Sequence, residues 1–350
     1  MARLSILAVF MVILAGCGGS GAGAGGSSQA AQFVAFGDAG TGSERQIAVG
    51  KAMAEVCAAR GCDFALELGD NFYASGVTSV DDAQFQQKFE IPYEQLKLPI
   101  YVTLGNHDNS RGPGEGSDNA RGEYQVEYHY LAGRASDKWR MPSRYYSFTW
   151  PASGTPLVEF FSLDSNPLTA IVADPDPQWN PLAYGAEQTE WLSDGLQKSR
   201  ARWKVAFAHH PYLSNGLHGN AGNYDGVPEA LPVTTNGSPY KAMLNATLCQ
   251  HADLMIAGHD HDLQWLKPVE RCPRVQHFVS GAAEGPRPFG DANRNAAYWQ
   301  QDNTLGFFWF RIENDRFTAA AYALDANMQL PKDAQGRPVP VFEQTLPKPR

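Results

Sequence analysis

The sequence predicts a single α/β domain over residues 32–350, and three observations carry that reading. From residue 32 on, short apolar runs alternate with amphipathic stretches, without internal repeats or a linker. Five of the apolar runs stop abruptly at a polar residue, four of them through a glycine. Towards the C-terminus the runs follow one another without long helices between them, the pattern of antiparallel sheet. With 350 residues and 43% apolar content the chain can bury a substantial core without oligomerising, so a monomer is the default expectation.

Taken in order, the chain opens with an export address. Met1-Ala2-Arg3 sets one positive charge before the apolar run 4–14, which is too short to span a bilayer comfortably and reads as a signal-peptide core. The run ends in Leu14-Ala15-Gly16-Cys17, which resembles the bacterial lipobox, where cleavage before the cysteine leaves it to be acylated. Residues 1–16 are therefore expected to be a lipoprotein signal peptide, and residues 17–31 a lipidated Cys17 followed by a flexible Gly/Ala/Ser tether. The expected location is the bacterial envelope, periplasm or cell surface, with the membrane as a partner through Cys17.

Beyond the tether, residues 33–36 read as a buried strand. Ser43-Glu44-Arg45-Gln46 has capping-box spacing and opens a helix running to Arg60, with Gly61 just past its end. Strands are expected at 64–68, 100–104, 157–163, 205–208 and 254–257, with helices near 186–199 and 239–250. The segments 275–280, 305–312 and 317–323 form the antiparallel-type tail. The Gly-rich stretches 110–122 and 215–237 are long loops, of a size that is usually either a functional rim or without fixed structure.

Charge and cysteine usage exclude some classes. The formal net charge is −9 and Lys and Arg form no stripe, which argues against nucleic acid as a partner. A small phosphorylated substrate stays compatible, because a metal centre supplies local positive charge that side-chain counting misses. Four cysteines remain after Cys17, an even number suited to an oxidising compartment. Proximity in sequence suggests the pairs Cys57–Cys62 and Cys249–Cys272. The competing reading, a zinc site, lacks the usual paired spacing.

The informative feature is where the apolar runs end. FVAF stops at Asp38, FALEL at Asp70, YVTL at Asn106, VAFA at His209 and LMIA at His259, with His261 two residues on. The carboxyl ends of strands in an open α/β sheet converge on one crevice, so side chains spread from residue 38 to residue 261 can meet there. The glycines before Asp38, Asp70, Asn106 and His259 permit the tight turn such a strand end needs. An Asp after a strand is ordinarily a turn or cap, and Asp38 alone would say little. The whole set is different: carboxylate, amide and imidazole donors without thiolate suit iron, manganese or zinc, and so many ligands require two ions.

In this order and spacing, the motifs GDAG, GDNFY, GNHD, HHP and GHDH resemble the calcineurin-like metallophosphoesterase superfamily. Tyr73, three residues after Asp70, narrows the resemblance to purple acid phosphatases of the small, tartrate-resistant type, in which a tyrosinate on ferric iron gives the colour. Lys138-Trp139-Arg140-Met141-Pro142, Asp260 to Gln264, Val279 to Ala282 and Leu305-Gly306-Phe307 extend it over nearly the whole chain after the tether. The resemblance implies an α/β/β/α sandwich, two mixed sheets flanked by helices. It implies that Asp38, Tyr73 and His261 hold Fe(III), that Asn106, His209 and His259 hold a divalent iron, zinc or manganese, and that Asp70 bridges them.

The implied chemistry is hydrolysis of phosphate monoesters by a metal-bound hydroxide at that dinuclear centre. His107 and His218 are the candidate proton donors to the leaving oxygen, His218 because it reproduces the family's nine-residue interval after His209. His210 stands where the family usually has Tyr and reads as a packing or outer-shell residue, and Asp260 as one that positions its neighbours. Ala39, Asn109 and Asp262 depart from the animal pattern and make the two long loops the expected seat of specificity. The rival readings are a phosphodiesterase or nucleotidase on the same metals, and a non-catalytic lipid-anchored binding protein. The complete ligand set and His107 argue against the last.

Overall fold

The computed structural model describes residues 30–231 and 233–349. The signal peptide, Cys17 and most of the tether thus lie outside the described residues. Ala31, expected to end the tether, is already buried as the first residue of the first strand.

Fourteen strands form two seven-stranded sheets. The first contains β1 (Ala31–Phe36), β2 (Phe64–Glu67), β3 (Ile100–Val102) and β4 (Trp139–Arg140) as a parallel block. Strands β12 (Gly306–Ile312), β13 (Arg316–Ala323) and β14 (Phe342–Pro347) extend it antiparallel beyond β1. In the second, β6 (Val158–Ser162), β7 (Trp203–Ala208), β8 (Leu254–Ala257) and β10 (Gln276–Ser280) run parallel. Strands β5 (Tyr146–Trp150), β9 (Leu263–Leu266) and β11 (Ala297–Gln301) complete it antiparallel. The α/β/β/α sandwich of two mixed sheets is therefore the fold. Strand β10 corrects the expected antiparallel tail: the unforeseen β9 reverses the chain once, so that β10 returns beside β8 in the same direction.

The apolar runs are continuous because both faces of these strands are covered. In β7, Trp203, Val205 and Phe207 face the layer between the sheets, whereas Ala206 and Ala208 face the outer helices. The inner layer is largely aromatic. Phe33 and Phe64 of the first sheet meet Phe160 of the second edge-on at 5.3 and 5.2 Å, and Phe310 meets Phe278 at 4.9 Å.

Helix α1 (Glu44–Arg60) packs on β1 and β12. Ser43 caps it by accepting from the Gln46 amide, but the reciprocal bond goes to Gly42, whose N–H is 2.7 Å from Gln46 Oε1, because Ser43 N–H donates to Thr41. Helix α2 (Ala120–Tyr130) emerges from the end of the first expected loop. Helix α3 (Pro181–Lys198) starts before the expected residue 186, since Asn180 caps it and Pro181 fits its first turn. The expected helix 239–250 is two, α4 (Ser238–Ala246) and α5 (Leu248–His251), broken at Thr247, whose φ is −120°. Both expected disulfides are present, Cys57–Cys62 and Cys249–Cys272.

Candidate metal centre

The carboxyl ends of the parallel blocks of both sheets open on the same edge of the sandwich. Asp38 follows β1, Asp70 and Tyr73 follow β2, Asn106 and His107 follow β3, His209 follows β7, and His259 and His261 follow β8. Three of these residues are left-handed without being glycine: Asp38 at φ 59°, Asp70 at 53° and His259 at 69°. Such a conformation costs about 1–2 kcal/mol each and is found where function demands it. Neighbouring backbones hold it here, with Asp38 N–H on Gly69 O at 3.1 Å and Gly258 N–H on His209 O at 3.0 Å.

This alters the role of the glycines. Gly69, at φ 87°, does make the turn expected of it. Gly105 and Gly258 instead supply room, since a Cβ on the first would lie 2.2 Å from Asp70 Oδ1 and on the second 2.5 Å from Asp38 Oδ2. At Asp38, Asp70 and His259 the left-handed turn falls on the polar residue itself, and Gly105 and Gly258 clear the space that the carboxylates of Asp70 and Asp38, each at the end of another strand, need.

The side chains collect into two groups. Tyr73 Oη lies 3.3 Å from Asp38 Oδ1 and 3.3 Å from His261 Nε2, and His261 Nε2 is 3.5 Å from Asp38 Oδ1. His209 Nε2 lies 2.9 Å from Asn106 Oδ1 and 3.1 Å from His259 Nδ1. Asp70 touches both groups, accepting from the Tyr73 hydroxyl on Oδ2 at 2.8 Å and standing 3.4 Å from His209 Nε2 with Oδ1. A ligand atom of each of Asp38, Asp70 and His209 falls within 4.8 Å of the others.

The donor set fits metal ions, and the reason lies in its protons. His209 and His261 each set Nδ1 2.9 Å from a backbone carbonyl, of Leu68 and Gly285 respectively. A carbonyl can only accept, so Nδ1 carries the proton and the Nε2 lone pair faces the cluster. Asn106 donates its amide to Gly114 O at 2.9 Å, which turns Oδ1 inward. Burial pushes both His209 and His259 below the ordinary imidazole range, and burial with the nearby Arg287 charge brings His261 down to about 4. Burial also pushes Tyr73 up, and burial together with the Asp70 charge pushes Asp38 up. The lone pair of His209 Nε2 thus confronts Asn106 Oδ1 at 2.9 Å, and that of His261 Nε2 faces Asp38 Oδ1 at 3.5 Å. Cations would satisfy this arrangement of oxygen and nitrogen donors.

The two proton-donor candidates border the cluster. His107 fixes its ring with Nδ1 2.7 Å from Ala74 O and places Nε2 4.0 Å from Asp70 Oδ2. His218 Nδ1 pairs with Asp225 Oδ1 at 2.7 Å, and its ring lies 4.2 Å from that of His259. Burial depresses the His218 imidazole, but the bond to Asp225 and the charge of Asp260 outweigh it and leave it raised.

The remaining expectations sort by where the side chains point. His210 bonds Ser165 Oγ through Nδ1 at 2.8 Å, although a nitrogen of its ring comes within 4.8 Å of those of His209 and His259. Asp260 holds the loop that carries His218, accepting from His218 N–H at 2.8 Å. Asn109 accepts from Arg144 at 2.8 Å and Asp262 from Gln264 at 2.6 Å, both buried.

A cavity of about 330 Å³ opens over the centre. As expected, both long loops border it, through Pro113 and Gly114 and through His218, Tyr224 and Thr235. Sequence reasoning missed three of its features. Asp225 had only its seven-residue distance from His218 as a signal. Ile171, 58% exposed, belongs to a segment between strands that bears no motif. Arg287 sits in Gly-Pro-Arg-Pro, a stretch that bears neither a strand or helix pattern nor a ligand motif. A fourth residue lies beneath the site: Asp108 accepts from the Gly105 amide at 2.7 Å and the Asn71 amide at 3.2 Å, and so ties the ends of β2 and β3 together.

The model of the calcineurin-like phosphoesterase family matches residues 31–263. Tartrate-resistant acid phosphatase type 5 of Homo sapiens is 27% identical over 84% of this chain and 87% of its own length. Purple acid phosphatase 3 of Arabidopsis thaliana is 28% identical over 75% of this chain and 65% of its own length. Among solved structures, GAP50, the anchor in the inner membrane complex of Plasmodium, superposes with a TM-score of 0.68 at 17% identity. It covers 92% of this chain and 90% of its own, and it shares the fold.

Proposed function

The chain belongs to the calcineurin-like phosphoesterase family, and from that premise we propose that it is an acid phosphatase acting on phosphate monoesters. It is a metal-dependent phosphoric ester hydrolase. The proposal adds a dinuclear centre of Fe(III) and a divalent iron, zinc or manganese. One observation carries it: Asp70 stands between two three-residue groups, 2.8 Å from Tyr73 on one side and 3.4 Å from His209 on the other.

In this reading Asp38, Tyr73 and His261 would hold the ferric ion, Asn106, His209 and His259 the divalent ion, and Asp70 both. When bound, the ions supply Lewis acidity towards phosphoryl oxygens and a nucleophilic water. The chain's own residues do the rest. The His218 imidazole, held by Asp225, keeps its proton to higher pH than an ordinary imidazole and delivers it to the departing oxygen. His107, oriented by Ala74 O, offers the second imidazole facing the cavity. Ile171 and Pro113 present apolar wall to the leaving group.

The test is the hydrolysis of an aryl phosphate monoester and the matching diester, side by side, by the iron-loaded and zinc-loaded protein. Monoester preference is expected, and diester preference would sink the reading. We further propose export and anchoring through Cys17, which the two disulfides support, since such bonds persist in oxidising compartments. Cys17→Ser should release the protein from membranes; unchanged fractionation would count against the anchor.

A further inference from the structure

Arg287 is the one arginine or lysine among the residues lining the cavity. Its backbone is fixed on both sides: its N–H donates to His261 O at 2.9 Å and its carbonyl accepts from Asn303 N–H at 3.2 Å. Pro286 and Pro288 flank it and restrict the dihedral angles of the segment. The preceding Gly285 carbonyl is the group that orients His261. One short, stiff stretch therefore aims a metal-ligand imidazole and presents a guanidinium to the same cavity.

The charge of that guanidinium is unspent. Arg144 commits its own to Asp164 and Glu123, and Arg294 to the carbonyls of Ser214 and Gly216. Among the described residues Arg287 has no such partner. Its side chain is exposed and lines the cavity together with His218, His259 and His261. In a chain of net charge −9, an unpaired guanidinium carried by a fixed backbone segment beside such a cavity is suited to receive an anion.

We propose that Arg287 selects phosphate monoesters over diesters by gripping terminal phosphoryl oxygens with its planar fork of N–H donors. A monoester carries close to two negative charges near neutral pH and an extra terminal oxygen, and a diester lacks both. Lysine, a point charge, reproduces the attraction but not the paired geometry. The inference rests on the monoesterase reading and names the residue behind its preference.

The experiment compares the metal-loaded wild type, Arg287→Ala and Arg287→Lys in kinetics with aryl monoester and diester, and in calorimetric binding of inorganic phosphate. Arg287→Ala should keep its metal content, because the bonds fixing the segment are backbone bonds. It should weaken phosphate binding and lower monoester kcat/KM about ten- to a hundred-fold, mainly through KM, as the loss of a charge-assisted hydrogen bond does. Diester hydrolysis should change much less, and Arg287→Lys should recover part of the loss. Unaltered phosphate affinity, equal loss on both esters, or loss of metal from Arg287→Ala would overturn the proposal. If the wild type cleaved no monoester, the acid phosphatase reading would fail, and phosphate calorimetry would still decide whether Arg287 binds the anion.

Discussion

The floor and the rim of the cavity are built in different ways. Each floor residue stands at or just after the end of a strand, so its position is set by backbone ladders and by left-handed turns at Asp38, Asp70 and His259. Apart from the Arg287 segment, which backbone bonds hold, the rim is a set of loops pinned largely by side chains. Arg144 joins Asp164, Asn109 and Asn119, Asn166 donates to Gly116 O at 2.9 Å, and Thr234 donates to Ala170 O at 2.9 Å. A backbone-built floor leaves little latitude, because moving one ligand means moving a strand. A rim held by side chains can change its lining by substitution while the metal ligands stay in place. Chemistry and selectivity are thereby separated within one site.

The largest expected effect falls on the floor. Asp70→Asn removes the charge shared by both groups; metal content should fall, and activity should drop by more than the roughly 10–100-fold typical of changes outside the ligand set. A variant with two metals and near-normal turnover would break the distinction. On the rim, His218→Ala should lower kcat about 10²-fold at full metal content, the usual worth of a general acid. Metal loss instead would place His218 with the floor.

Asp225→Asn should act more gently and through pH. Asp225 raises the His218 imidazole, so the protonated donor survives to higher pH in the wild type. Without that carboxylate the alkaline limb of the kcat profile should move to lower pH; an unmoved limb would remove His218 from the proton-donor role.

The smallest effect concerns a floor carboxyl that is no ligand. Glu67, the last residue of β2, is buried, accepts from Tyr93 Oη at 3.2 Å and leaves Oε2 without a partner. Burial raises its folded-state pKa well above the unfolded value. The folded protein then binds the proton more tightly, so stability is lost as pH rises from the unfolded pKa towards the folded one. Glu67→Gln should raise Tm by a few degrees at pH 7 and leave it nearly unchanged at pH 4. An equal shift at both would show that packing, not ionisation, governs the position.

The same division explains what could be read from the sequence. Floor residues follow apolar runs that are continuous because both faces of each strand are buried, so the run and its abrupt end are visible in one dimension. Tyr73 was legible through its place in GDNFY, and His218 through its interval from His209. Rim residues carry no such mark. Arg287 meets the site because its amide reaches His261 O, and Asp225 because a loop folds back on His218, and neither contact leaves a periodic trace. Strand β4 was too short to show a pattern, β9 (Leu263–Leu266) has its apolar run broken by the buried Gln264, and β11 and β14 are too weakly buried. The glycines were found correctly, but their main service, clearing space for Asp38 and Asp70, appears only once the strands are side by side.

The central claim is that Tyr73 and six other strand-end ligands hold two ions, one of them iron. Metal analysis and the visible absorption spectrum of the oxidised wild type and of Tyr73→Phe test it most directly. The account predicts two metal ions per chain including iron, and a visible tyrosinate-to-iron band that Tyr73→Phe abolishes while some metal is retained. One ion per chain, no iron, or a band that survives in Tyr73→Phe would contradict it.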